Sequence, residues 1–283
     1  MAELTKVENH PTPARGLEAE RLSGRSWEVY FAPEEEENFF YPDSFAVDFN
    51  KGAEFDAAPL NTSEINLKIR ELMAHGFGRI VVHNPMGKHS LGVGILNPLW
   101  LHFEGSLGYF ACGLIDGPNI RIQGRVGWSC AENMMAGTVV IEKNAGSSFG
   151  AALRGGDLVC RGDVGGRTGI DMKGGTILVG GSTGPFSGFM MQRGRMIVLG
   201  DAGKNLGDSM YDGTIYVGGK ITSLGVDAVP AEMTAADVSW LERKLAQYRL
   251  QAPNGVVNLQ KVVAGKRLWN YDNLEPAEKK IVL

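Results

Sequence analysis

A glycine-punctuated pattern recurs every 19 residues without slippage over residues 99–225. Its units begin at Leu99, Pro118, Gly137, Gly156, Gly175, Gly194 and Gly213. Two positions on, every unit is apolar: Leu101, Ile120, Val139, Leu158, Ile177, Met196 and Ile215. Four positions on the same holds: Phe103, Ile122, Ile141, Cys160, Val179, Val198 and Val217. Nine positions on stand Gly108, Gly127, Gly146, Gly165, Gly184 and Gly203, and Thr222 breaks that run. A fixed period of this length requires a stacked fold in which each unit meets only its neighbours.

Within a unit the +2 and +4 residues flank a mixed position, as in Ile120-Arg121-Ile122, which is the period of a strand. Glycine at +6 (Gly105, Gly124, Gly162, Gly181, Gly200 and Gly219) predicts a corner at positive φ, and glycine at +9 a second bend. Small residues recur at +13 (Ala131, Gly150, Gly169, Gly188, Gly207) and long apolar ones at +16 (Met134, Leu153, Met172, Met191, Met210). These columns predict an all-β repeat: a single-stranded parallel β-helix with +2, +4, +8 and +16 filling its bore. Ile80, Val82 and Gly87 supply an earlier coil, making about eight. At one strand spacing per coil the rod is roughly 40 Å long. A hexapeptide period does not divide 19, and the GGxGxD of a calcium-binding nonapeptide helix is missing.

Three segments follow: an acidic, aromatic-rich arm at 1–60, the β-helix with its leading helix at 61–228, and a helix and tail at 229–283. The arm carries 13 acids and 5 bases, while the other residues carry 19 acids and 23 bases. Pro11, Pro13, Pro33 and Pro42, with the run Glu34 to Glu37, predict an irregular, solvated arm. Trp27, Tyr30, Phe31, Phe39, Phe40, Tyr41, Phe45 and Phe49 instead point to docking on a neighbouring surface, since disordered segments are poor in aromatics. Residues 61–76 read as a helix capped by Thr62 or Ser63 and stopped at Gly76. Thr234-Ala235-Ala236-Asp237 is a capping box for a second helix running to about Leu250. Both helices are expected to cap the ends of the stack, where a bare coil leaves backbone groups unpaired.

Chemistry-bearing residues are few. Gly180-Gly181-Ser182-Thr183-Gly184 could cradle a phosphate but lacks the lysine and following helix of a P-loop. Cys112, Cys130 and Cys160 contain no CxxC and lack accompanying soft ligands, so they read as buried core in a reducing, cytoplasmic compartment. His83, His89 and His102 show no ligand spacing, and no GxSxG occurs. No secretory leader, membrane span or dense basic stripe is visible, which argues against membrane or nucleic-acid partners. No catalytic, cofactor or metal residue is assigned. Glu132, Asn133, Asp171, Lys173 and Asp208, beside the small column, are the candidates for a partner interface or a passage wall.

Five segments carry a family resemblance: Asn84-Pro85-Met86-Gly87-Lys88-His89, Ala131-Glu132-Asn133-Met134-Met135-Ala136-Gly137, Gly169-Ile170-Asp171-Met172-Lys173-Gly174, Gly200-Asp201-Ala202-Gly203 and Leu206-Gly207-Asp208-Ser209-Met210-Tyr211. They resemble the GXGXG domain at the C-terminus of the glutamate synthase large subunit. The nearest form is the stand-alone one, which is a separate chain of methylamine–glutamate N-methyltransferases (N-methylglutamate synthases). The resemblance implies a right-handed parallel β-helix that is a non-catalytic scaffold, without flavin of its own, in a hetero-oligomer. Its partners would be an FMN-binding glutamate synthase-like subunit, with an iron–sulfur centre as a further option, and a glutamine amidotransferase-like subunit. The implied reaction converts methylamine and L-glutamate into N-methyl-L-glutamate and ammonia. The alternatives are the GXGXG-containing chain of a formylmethanofuran dehydrogenase or formyltransferase/hydrolase complex, and a self-sufficient β-helix enzyme acting on a polysaccharide. The long arm before Asn61 departs from the family pattern.

Overall fold

The structure, a computed structural model, describes residues 5–7, 29–31 and 45–268. It divides into two compact units, residues 1–43 with 269–283, and residues 44–268. In the first, β1 (Thr5–Val7) pairs antiparallel with β2 (Val29–Phe31). The Glu34 to Glu37 run, Trp27, Phe39, Phe40, Tyr41 and Trp269 lie outside the described residues.

The second unit is built on one eleven-stranded sheet. Its first nine strands are β3 (Asp48–Asp56), β4 (Phe77–His83), β5 (Trp100–Glu104), β6 (Asp116–Ile122), β7 (Ala136–Ile141), β8 (Asp157–Cys160), β9 (Lys173–Val179), β10 (Arg193–Val198) and β11 (Thr214–Val217). Neighbours follow chain order and all are parallel. The register advances by one repeat per rung, so Leu101, Ile120, Val139, Leu158, Ile177, Met196 and Ile215 stack directly. The eight strands from β4 to β11 are successive rungs of a parallel β-helix of about seven turns, against the about eight coils expected. β3 adds a ninth parallel strand within the stretch read from sequence as an irregular arm, because its Phe55 and the following Ala57 bury against the first coil.

A second, shorter ladder runs through the +8 column: Val126, Ala145, Val164, Thr183, Ala202 and Ile221 are bridged in sequence. The bore takes the expected +2, +4, +8 and +16 columns and one more, at +12: Ala111, Cys130, Phe149, Thr168, Ser187 and Leu206 are all buried. That column mixes polar and apolar types, so alternation could not reveal it. Its hydroxyls are satisfied locally, Thr168 by the carbonyl of Gly165 and Ser187 by that of Gly184, both at 3.0 Å. A buried polar group is tolerated only on those terms.

The glycine corners have a different cause from the one expected. Most of the +6 glycines do not adopt positive φ. A Cβ on them would collide with the backbone of the preceding coil, as at Gly200, where Gly181 C would lie 2.7 Å away. Positive φ instead recurs at +11, +13 and +15, for example Ser129, Ala131 and Asn133, or Arg167, Gly169 and Asp171. A left-handed residue with a side chain costs about 1 kcal/mol or more. Alternating bonds between coils offset that cost: Ser129 N–H donates to Ser147 O ahead, Ala131 to Ala111 O behind and Asn133 to Ala151 O ahead, at 2.8 to 2.9 Å.

The two ends are closed differently. At the first, helix α1 (Thr62–Ala74) buries Ile65, Ile69 and Met73 over the bore. Its cap is Asn61 rather than Thr62 or Ser63, with Glu64 completing a reciprocal capping box. From α1, the Asn66 carboxamide donates to Ser90 O at 2.8 Å and accepts from Gly92 N–H at 2.9 Å. It stands in for the preceding coil, since the equivalent Cys112 N–H bonds Leu91 O.

At the far end the expected helical cap is absent. The edge of β11 is covered by β13 (Gln260–Ala264), antiparallel, which pairs in turn with β12 (Ala228–Ala231). Helix α2 (Ala235–Gln247), capped by Thr234 as expected, lies on the outer face of the sheet instead. The reason is the +3 column. It begins polar with His102 and Arg121, then turns apolar through Val140, Val159, Leu178, Ile197 and Tyr216. Leu241, Leu245, Tyr248 and Leu259 bury against the apolar part.

Candidate functional site

The five residues singled out from sequence share one edge of the coils but form no single site. Glu132 and Asn133 sit together in the third coil, while Asp208 lies four coils further on, bonded to Ser209 Oγ at 2.8 Å. At one strand spacing per coil this is roughly 19 Å away. Asp171 and Lys173 do meet, at 2.9 Å, and Gln192 of the next coil donates to the other Asp171 oxygen at 2.7 Å. Tyr211, one coil further, has its phenol pushed up by burial and by the Asp171 charge. This small cluster is half-exposed, and an ion pair in such a setting contributes little stability.

The same side carries a feature that sequence reasoning missed. His89, Tyr109 and Trp128, one per coil, stack along the outer corner, with ring centroids 4.6 and 5.3 Å apart. The His89 ring is fixed because its Nδ1 accepts from Tyr109 N–H at 2.9 Å. Each ring folds over the +9 glycine of the following coil, where a Cβ would run into it. Those glycines therefore make room for rings. Beside the ladder, Phe110 and Leu114 point into solvent, 52% and 59% exposed, on left-handed backbone. Trp128 is 58% exposed. The +10 column, read across units, was the signal that could have found the ladder.

Polar residues on the next corner are spent on the backbone. Five +7 side chains accept the N–H of the +7 residue above: Ser106 from Arg125, Asn144 from Asp163, Asp163 from Ser182, Ser182 from Asp201 and Asp201 from Lys220, at 2.7 to 3.3 Å. The phosphate-cradle reading of residues 180–184 meets this fact directly, since Ser182 N–H is already held by Asp163.

Several other titratable groups among the described residues are engaged structurally. Hydrogen bonding to Cys112 together with burial pushes the Cys130 thiol well up, and burial pushes Cys160 to about 12. All three cysteines are free and buried, and thiols raised as those of Cys130 and Cys160 are make poor ligands and nucleophiles. Burial acts to raise the Asp237 carboxyl, but bonds from Lys261, Thr234 and Tyr216 outweigh it and hold it well below the usual range. Burial and Asp157 push the Tyr248 phenol up. Arg121 and Arg161 both reach Glu142, at 2.9 Å. Among the described residues no group of three or more His, Cys, Asp or Glu is placed to hold a metal ion, and no helix is long and apolar enough to cross a membrane. Phe110, Leu114 and Trp128 together present an exposed aromatic and aliphatic patch, and such patches mark interaction sites.

The family model described as the GXGXG motif matches residues 64–251, about two thirds of the chain. Among curated proteins, Protein GlxC of Rhizobium meliloti (strain 1021) is 47% identical over 60 residues, 21% of this chain and 26% of that protein. The chain thus matches about a quarter of the length of that relative.

Proposed function

Because the chain belongs to the GXGXG motif family, we propose that it is a non-catalytic structural subunit of a glutamate-synthase-like enzyme complex. The observation that carries this reading is the exposed patch of Phe110, Leu114 and Trp128 on the corner of the first coils. Inward columns fill the bore, the +7 polar residues bind backbone, and the strongest charge pairs fasten α2. What is left facing solvent is a surface for a partner. The match to Protein GlxC supports the same reading.

In the fuller form of this proposal, FMN, with or without an iron–sulfur centre, resides on a glutamate synthase-like partner. A glutamine amidotransferase-like partner completes a cytoplasmic hetero-oligomer. The complex converts methylamine and L-glutamate into N-methyl-L-glutamate and ammonia, and this chain holds the other two in register. The edge bearing Glu132, Asn133, Asp171, Lys173 and Asp208 belongs to the interface or to a passage between them.

Purification of the tagged full chain from its native host tests the proposal. The expected result is a stable complex with flavin absorption that forms N-methyl-L-glutamate from the two substrates. A chain that purifies as a monomer, without a flavoprotein, overturns the scaffold reading. A flavin-bearing complex inactive toward methylamine overturns only the substrate assignment.

A further inference from the structure

β3 is the first edge of the sheet, and little apolar burial holds it: of its nine residues only Phe55 is buried. What ties it to the following rungs is largely polar. His83, the last residue of β4, stands between β3 and β5. Its Nδ1 is 2.8 Å from Glu104 Oε2 on β5, and its Nε2 is 3.5 Å from Glu54 Oε2 on β3. A neutral imidazole carries one N–H and can donate to one carboxylate, whereas imidazolium donates to both. We propose that His83 is a proton-operated clasp that closes β3 onto the β-helix when charged and loosens it when neutral.

The other charged groups facing this row fit that role. Asp56 lies opposite His83 in the ladder and is held by Ala58 N–H and the Asn84 amide at 3.0 and 3.1 Å. Lys88 binds the carbonyls of Ala57 and Ala58 just beyond β3, a tie that does not involve the imidazole. His102 lies next along β5, and burial lowers its proton affinity, so it does not compete for the same proton. The bond to Glu104 first, and then Glu54, raises the proton affinity of His83 despite some opposing desolvation. A group whose folded pKa is raised contributes most below its free value, about 6.5, and that contribution is lost as pH rises through the clasped value. Release of β3 uncovers the N–H and C=O groups of β4, a template for a strand from another chain. The clasp thus controls access to the first edge.

Hydrogen exchange of the full chain between pH 6 and 8.5, corrected for intrinsic rates, tests this. The expected result is that protection of residues 52–56 falls with rising pH, by up to about tenfold per pH unit between the free and clasped values. Protection of β9 should stay level. In His83→Gln the β3 profile should be flat, and in Glu54→Gln its midpoint should move to lower pH. A wild-type profile as flat as that of β9, or one unchanged in His83→Gln, overturns the proposal. Should His83→Gln also lose protection in β9, Glu54→Gln decides, and an unmoved midpoint there overturns it.

Discussion

The ammonium of Lys244 stands 2.8 Å from the carboxylate of Asp157, on a strand 87 residues earlier in the chain. Tyr248 donates to the same oxygen at 2.6 Å. One carboxylate, mostly withdrawn from water, therefore receives one group from α2 and one from the residue that ends it. Removing it leaves an ammonium and a phenol without their acceptor. Asp157→Leu is expected to destabilise the fold by about 3 kcal/mol, the usual cost of breaking a buried pair. Adding Lys244→Met should recover part of that loss. Urea unfolding of the two variants and the parent measures both effects.

Asp237 ties α2 at its other end, accepting from Tyr216 and Lys261 at 2.6 and 2.8 Å. Its folded pKa is depressed, so its contribution is full above the unfolded value and is lost as pH falls through the folded one. Thermal midpoints should drop below about pH 4, where an unperturbed aspartate takes up its proton. Asp237→Asn should be less stable near neutrality and should lose less between pH 5 and 2. Equal acid sensitivity in both proteins would count against this role.

Two glycines separate conformational freedom from close approach. Gly87 has φ +68° and open space around its missing Cβ. Gly203 has no such φ, but a Cβ there would lie 2.6 Å from Gly184 C and Pro185 N of the coil below. Gly87→Ala should cost about 1 kcal/mol, the left-handed penalty. Gly203→Ala should cost about 3 kcal/mol, because a packed backbone cannot move aside. Chemical denaturation of the pair gives the order directly.

The exposed patch makes a prediction of the opposite kind. Phe110→Ser with Leu114→Ser should leave unfolding within about 1 kcal/mol of the parent, since both side chains already face water. Capture of the proposed flavoprotein partner should weaken by more than about thirtyfold, as for residues at the centre of an interface. Loss of stability without loss of capture would reassign the patch to the fold.

The repeat, the strand positions and the inward +2, +4 and +16 columns were legible in the sequence because each is local. Alternation and a 19-residue echo are written into neighbouring side chains. The capping box at Thr234 was legible for the same reason. The +12 column was hidden because burial there rests on hydrogen bonds from Thr168 and Ser187 to carbonyls three residues back, which hydropathy does not register. The corner glycines were visible, but their cause was not: at Gly200 the constraint is the backbone of another coil.

The sequence by itself determined that this chain stacks its repeats as a glycine-cornered parallel β-helix, since a 19-residue period with strand alternation buries those columns when coil lies on coil. Only the tertiary structure decided how the stack ends and which faces stay open. β13 runs antiparallel along β11, and α2 covers the sheet from Val140 to Tyr216, because contacts such as Lys244 to Asp157 join residues too distant in sequence to leave a local pattern. Where Phe110 and Leu114 stand was decided the same way, by left-handed backbone that the hydrogen bonds of adjacent coils hold in place.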